Sequence, residues 1–351
     1  MSLFICPLCQ SPLQPAIYNW CCDGSLNSKQ TTHSFDVARQ GYVNLLPVQQ
    51  KKSKAPGDSA LSIKARQRFL QAGYYQPLRD LICEQITLWL AKEMSVKERA
   101  YNEQVAYANR RWLDIGCGEG YYTQALAEQV DIDELIAADI SKPALIEMAK
   151  GSKAAHTLWY QQDVANTNQG VNHEQTRQQS QKDSQQPSPK KTVVYPIVTS
   201  AAHLPLQAQS ITGISSIFSP ILPAAFAQVL QDNGYLIIAK PDSGHLASMR
   251  AALFDEVREH DSDKFLTELA PYFTLLETHQ VSTELSLSAE ALADLLTMTP
   301  YAYRAQIDKR RALLDLVDTK PFITEAKFVV YILQKTSKGE AQTRHSKEQA
   351  P

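Results

Sequence analysis

The sequence predicts an α/β protein: a Rossmann-like domain behind a small N-terminal module held by cysteine and histidine. Three observations predict it. Apolar runs of strand length alternate with helical stretches from residue 111 onward. A glycine-rich turn, LDIGCGEGYYT (113–123), sits where a strand hands over to a helix. A Cys-x-x-Cys pair, Cys6 and Cys9, opens the chain, with Cys21, Cys22 and His33 close behind. Strands separated by helices of this length imply a parallel sheet covered on both faces.

The 351 residues suit about two domains, and 44 % hydrophobic content suffices for a sizeable core. No apolar run approaches the roughly 18–20 residues of a membrane span. The first residues lack the basic-then-apolar pattern of a signal peptide. Six cysteines in such a chain argue against a disulfide scaffold. A cytoplasmic protein with no membrane partner is the expectation. Net charge is −2, but residues 1–80 carry nine basic against four acidic residues, +5, which leaves −7 for the remainder. Such asymmetry suits either a polyanion-facing surface or an ordinary solvated face.

Residues 1–46 are short, turn-rich and Cys-bearing, and form the first expected module. Residues 47–110 form a helical linker region. Within it, the basic loop KKSKAPGD (51–58) leads to Asp58 or Ser59 as the cap of a helix over 60–72, which stops at Gly73. A second helix covers 77–94, and 95–110 reads as a polar exposed insertion. The main domain spans 111–335, with strands at 111–115, 135–140, 193–199, 213–218 and 235–240. Its helices fall at 120–130, 142–150, 222–231 and 244–256. The Gln/Ser/Asn-rich segment 164–192 and the tail 336–351 have too few large apolar groups to offset the entropy of ordering, and read as disordered.

The glycine turn carries the chemistry. Gly116, Gly118 and Gly120 alternate, giving a tight turn and close backbone approach to a ligand, with free N–H groups on the helix that follows. Dinucleotide sites space their glycines differently and hold a diphosphate, which Glu119 inside this loop would repel. S-adenosylmethionine (SAM) carries no phosphate and a positive sulfonium, so an acidic loop suits it. Asp139, closing the next strand, can accept both ribose hydroxyls, and Asp114 can face the methionine amino group. The fold is therefore expected to be that of the class I SAM-dependent methyltransferases. Ser200 and Ala201, at the third strand end, would border adenine. Ser219 and Pro220, at the fourth, are candidates for the acceptor pocket, or else an ordinary strand-end turn.

Cys6, Cys9, a third thiolate and His33 make a closed Cys3His set suited to structural zinc. A module with so little core needs such a metal to fold. Cys21 and Cys22 compete for the third position, and Cys22 is favoured because Trp20 then lies two before the ligand.

The cysteine knuckle, HSFDVARQGYVNLLP (33–47), KKSKAPGDS (51–59), AGYYQPLRD (72–80), LDIGCGEGYYT and MTPYAYRA (298–305) together resemble the bacterial 23S rRNA (guanine-N1)-methyltransferases of the RlmA type. The resemblance runs from residue 6 to about 335, interrupted near 95–110 and 164–192. It implies SAM-dependent methylation of N1 of a guanine in a 23S rRNA hairpin, with the N-terminal module as an RNA-recognition unit. It implies zinc on Cys6, Cys9, Cys22 and His33, and SAM contacts from Gly118, Glu119, Tyr75 and His245. A longer gap between Cys22 and His33 than the family shows leaves the third ligand open. A homodimer with a shared RNA cleft fits the family, although no residue of the sequence speaks to it. The basic residues Lys51, Lys52, Lys54, Lys64, Arg66 and Arg68 would meet phosphates. No general base is identified; Asp242, in KPDSG, is a candidate or a solvated turn acid. Two other readings remain open from the residues: a methyltransferase acting on a small molecule, and a non-catalytic zinc- and RNA-binding protein.

Overall fold

The computed structural model describes residues 2–51, 53, 56–100, 110–152, 158–159, 192–255, 264–317 and 320–336. The inserted segment 164–191, the stretch 101–109, the tail from 337, and Lys52 and Lys54 lie outside the described residues.

Four short antiparallel strands form the N-terminal ribbon: β1 (Phe4–Ile5), β2 (Pro12–Gln14), β3 (Asn19–Cys22) and β4 (Ser34–Asp36), in that spatial order. Successive side chains alternate between faces of a strand. β3 therefore buries Trp20 and Cys22 and exposes Asn19 and Cys21.

The large sheet has nine strands. β5 (Val43–Asn44), β6 (Arg111–Ile115), β7 (Glu134–Asp139), β8 (Leu158–Trp159), β9 (Val193–Val198), β10 (Ile211–Ile217) and β11 (Leu230–Pro241) are mutually parallel where they pair. β12 (Phe273–Leu287) and β13 (Phe322–Lys335) form an antiparallel pair at one edge. The order is β12-β13-β11-β10-β6-β7-β9-β5, with β8 beside β9. The order reverses at β6, and β13 alone of the inner strands runs against its neighbours; this is the class I SAM-dependent methyltransferase sheet. β10 is buried along its whole length, as a strand covered on both faces must be. Gly213 in β10 is required by packing, because a Cβ there would stand 2.0 Å from the Trp112 ring.

The helices are α1 (Ala60–Gln71), α2 (Gln76–Ala100), α3 (Tyr121–Gln129), α4 (Lys142–Ser152), α5 (Pro223–Val229), α6 (Ala247–Leu253), α7 (Lys264–Leu269), α8 (Ala289–Met298), α9 (Tyr301–Arg304) and α10 (Ile307–Asp315). Ser59 caps α1, its hydroxyl accepting from Ser62 N at 3.2 Å. α2 runs through Ala100, beyond the end its apolar pattern suggests, so the first residues of the expected 95–110 insertion continue the helix. The long β12–β13 pair has no counterpart among the expected elements. Most of β12 has one face toward solvent, so its apolar content is low and its strand signal is weak.

The ribbon is fastened to the main sheet. Ile5 N donates to Pro205 O at 3.1 Å and Gln207 N to Leu3 O at 3.0 Å. Phe4 and Trp20 lie 5.3 and 6.1 Å from the Tyr195 ring of β9. Phe4, Leu13 and Trp20 share one apolar cluster with Ile136 of β7 and Ile197 of β9.

Candidate active site and metal centre

The side chains of Cys6, Cys9, Cys22 and His33 converge, and their donor atoms all lie within 4.8 Å of one another. Cys9 Sγ is 3.7 Å from Cys22 Sγ, and His33 Nδ1 is 3.6 Å from both Cys6 Sγ and Cys22 Sγ. Four donors around Zn2+ at sulfur distances of ~2.3 Å are separated by about 3.8 Å, so the set fits a tetrahedral zinc ion. The choice between neighbouring cysteines follows from strand alternation. Cys22 is on the inner face, and Cys21 is exposed with its thiol 3.5 Å from Ser34 Oγ.

The glycine turn joins β6 to α3. Gly116, Gly118 and Gly120 all have left-handed φ, at +72°, +58° and +88°. A side chain on Gly116 would meet Ser219 at 2.4 Å, and one on Gly120 would meet Met148 at 2.6 Å. Asp139 ties this turn to the next strand end. It accepts from Gly118 N at 2.9 Å and from Ser141 N at 2.7 Å. An ionised carboxylate has about four acceptor positions, so two remain. Burial, opposed by those two N–H bonds, moves its pKa up.

Asp114 lies beneath the turn and is buried. It accepts from Thr123 Oγ1 at 2.6 Å and Ser215 Oγ at 2.8 Å, and Trp112 Nε1 donates to Ser215 at 3.2 Å. Burial pushes its pKa up to about 6, although both hydroxyls pull it down. Asp114 thus clamps β6, β10 and α3 together under the glycine turn.

Glu119 is buried, and its Oε2 accepts no hydrogen bond. Arg66 Nη1 of α1 stands 3.8 Å from it. Burial pushes the Glu119 pKa up to about 7 against the pull of Arg66. Arg66 also pairs with Asp58, whose carbonyl accepts from Ser141 Oγ at 3.1 Å. A strap over 56–66 is thereby drawn across the glycine turn. This corrects one expectation about the basic residues. Arg66 faces the turn, and Arg68 is paired with Asp294 of α8, so neither is an uncommitted phosphate contact.

An aromatic wall closes the other side. Tyr75 is buried, 4.7 Å from Phe328 and 6.4 Å from His245 by ring centroids. His245 follows a turn in which its N–H bonds Asp242 O, and its Nδ1 is 2.8 Å from Lys327 O. Nδ1 also lies 3.1 Å from Lys327 N, so it meets both backbone polar groups of Lys327 and holds the ring there in either tautomer. Burial lowers the His245 pKa to about 4, so the ring is neutral at pH 7. Ser200 and Ala201 follow Thr199, whose N–H bonds Asp139 O at 2.9 Å, so they adjoin Asp139 at the end of β7. Asp242 is committed elsewhere, accepting from Ser243 N at 2.7 Å and Gln280 Nε2 at 3.0 Å.

The roles of Thr123, Ser215, Phe218 and Phe328 are not announced by the sequence, and Arg66 lies elsewhere than expected. Thr123 closes the glycine motif, but its partner Asp114 is nine residues away, and the other three belong to no motif. The signal available for Arg66 was its position on a helix that precedes the glycine turn.

The donor chemistry suits SAM. An acid with an unbonded buried oxygen lines the turn, a second closes β7, and aromatic rings wall the remainder.

Comparison with known proteins supports the same reading. Residues 4–54 match the family model of the RlmA N-terminal zinc ribbon. The chain is 26 % identical over 305 residues to the 23S rRNA (guanine(748)-N(1))-methyltransferase of Streptomyces fradiae, covering 87 % of each. It is 27 % identical over 326 residues to YxjB of Bacillus subtilis (strain 168), provisionally named for 23S rRNA (guanine-N1) methylation, covering 90 % of this chain and 92 % of that one. In its zinc ribbon and over nearly nine-tenths of its length, the chain is similar to the 23S rRNA (guanine-N1)-methyltransferases, the family its motifs resemble.

Proposed function

We propose that this protein transfers the methyl group of SAM to N1 of a guanine in a hairpin of 23S rRNA, in the cytoplasm. The observation that carries the reading is the pairing of two sites on one body. A glycine turn lined by buried acids shares its scaffold with a four-donor zinc ribbon of a kind matched by rRNA methyltransferases.

SAM, when bound, supplies an electrophilic methyl group on a positively charged sulfur. Each residue then has a task. Gly116, Gly118 and Gly120 let the backbone approach the amino-acid end. Asp139 accepts the ribose hydroxyls on its two remaining positions. Ser200 and Ala201 border the adenine. Glu119 faces the positive amino or sulfonium group, and Arg66 neutralises the methionine carboxylate. Tyr75 and His245 wall the sulfonium end, and neutral His245 adds no repulsion there. Asp114 holds the turn in place from below.

Guanine N1 carries a proton at neutral pH, which must pass to a base or to solvent as the N1–CH3 bond forms and the S–CH3 bond breaks, and it is hidden in a base pair. The acceptor must be unpaired, so a loop or flipped base is required. The rate then comes from holding N1 in line with the methyl group. Cys6, Cys9, Cys22 and His33 would hold a structural zinc ion, and the ribbon would present RNA-contacting surface.

Primer extension on unmodified large-subunit rRNA, after incubation with protein and SAM, tests this. Methylation at N1 blocks Watson–Crick pairing, so one SAM-dependent stop beside a guanine is expected. Absence of any stop, with SAM still bound, would favour a small-molecule acceptor.

A further inference from the structure

We infer that Phe218 is the platform on which the target guanine stacks, held exposed by a strained turn at the end of β10. The inference rests on the guanine-methylation reading above and names the residue that would receive the base.

Phe218 has φ +54°, in the left-handed region. That conformation is costly for a bulky residue and recurs at binding and catalytic sites when the surroundings over-determine it. Five other non-glycine residues among those described share a positive φ: Gln10, Gln30, Gln209, Asn233 and Leu246. Leu246 is fully buried, and the other four are polar. Phe218 is therefore the one exposed apolar residue in that conformation among the described residues, with 44 % of its surface accessible.

The turn is fixed from three directions. Phe218 N donates to Ala239 O of β11 at 3.1 Å. Ser219 Oγ meets Ser216 Oγ at 2.7 Å. The absent side chain of Gly116 leaves room for Ser219, so the turn lies directly against the glycine loop. Pro220 further restricts Ser219. Relaxing Phe218 would break these contacts.

The ring is supported from behind. It lies 5.4 Å from Phe328, 6.4 Å from Tyr75 and 6.5 Å from Tyr122, tilted or edge-on to each. Edge contacts from neighbours leave a face of the ring for another planar group. The position suits an acceptor. Ligands of such sheets bind beyond the carboxyl ends of the strands, at the order reversal. β7, with Asp139, is on one side of β6, and β10 on the other. The ribose is thus drawn toward β7, and the group to be methylated enters over β10.

The test compares F218A, F218L, F218Y and F218G with the wild-type chain. Three quantities are measured: SAM affinity by titration, rRNA affinity by anisotropy, and kcat/KM for methyl transfer to the rRNA hairpin. Losing one stacked base costs roughly a ten- to hundredfold factor. F218A and F218L are expected to lose about that much kcat/KM, with SAM affinity unchanged and rRNA affinity changed little, because phosphate contacts dominate it. F218Y is expected to retain wild-type rates. F218G is expected to melt above F218A, since glycine adopts positive φ without strain, while sharing its activity loss. Wild-type rates in F218A or F218L overturn the inference, as does an equal loss of SAM affinity. F218G melting no higher than F218A overturns the strained turn. A wild-type protein that methylates no guanine overturns the proposed function and this inference together, whereas an active wild type with an equally active F218A overturns this inference alone.

Discussion

The Arg66 guanidinium stands 3.8 Å from the carboxylate of Glu119, and the same side chain pairs with Asp58. One arginine of α1 thus ties a strap to the acid inside the glycine turn. Glu119 is buried with one oxygen unbonded, and burial pushes its pKa up to about 7. The charge at the glycine turn therefore changes near neutral pH, as Glu119 titrates beside Arg66.

The first prediction concerns pH. Below about pH 7 Glu119 takes up a proton and loses its pull on a positive amino or sulfonium group. SAM affinity is expected to fall as pH drops from 8 to 6. E119Q should bind SAM roughly tenfold more weakly at pH 8, the value of one lost charge-assisted contact, and should show a flatter pH profile. The stability effect has the opposite sense. The folded pKa lies above the ordinary 4.5, so the folded state holds the extra proton between about 4.5 and 7. Unliganded wild type should lose stability relative to E119Q as pH rises through that window. Calorimetric melts of both proteins across pH 5–8 check it.

Zinc content distinguishes the two neighbouring cysteines. C22S is expected to reduce bound zinc from about one per chain to none and to unfold the ribbon, because structural zinc supplies folding energy outright. C21S should keep its zinc and its melting temperature. Metal analysis of the dialysed proteins reads the difference.

The Arg68–Asp294 pair predicts an asymmetry. Asp294 is buried and Arg68 half-exposed. R68A strands a buried carboxylate and should cost about 2 kcal/mol, whereas D294A releases an arginine to water and should cost under about 1 kcal/mol. Urea melts measure both. R68A should leave the salt slope of rRNA binding unchanged, while K51A, if Lys51 meets a phosphate, lowers it by about one.

Asp114 clamps three elements through Thr123, Ser215 and, behind Ser215, Trp112. D114A leaves both hydroxyls without their acceptor and should cost about 2–4 kcal/mol. SAM affinity should fall with it, because the glycine turn loses its support. T123V, which removes one of the two bonds, should lie between D114A and wild type in both measurements.

Much of this molecule is local in origin. The knuckle at Cys6 and Cys9, the glycine turn at 116–120 and the acid closing the next strand are constraints on contiguous backbone, so spacing along the chain reveals them. The buried runs of β6 and β10 show through because a strand covered on both faces must be apolar throughout. Strand alternation even separates Cys22 from Cys21 once β3 is in place. The tertiary structure decided the rest. β12 alternates polar and apolar residues with one face toward solvent, and its antiparallel pairing with the apolar run of β13 exists only in the assembled sheet. Arg66 and Arg68 look alike in sequence, and only the packing of α1 turns one to Glu119 and the other to Asp294. Phe218 is an ordinary aromatic residue until Gly116, Ala239 and Ser219 fix its backbone. Each of these roles is set by partners far apart along the chain, so it exists only once the sheet has brought them together.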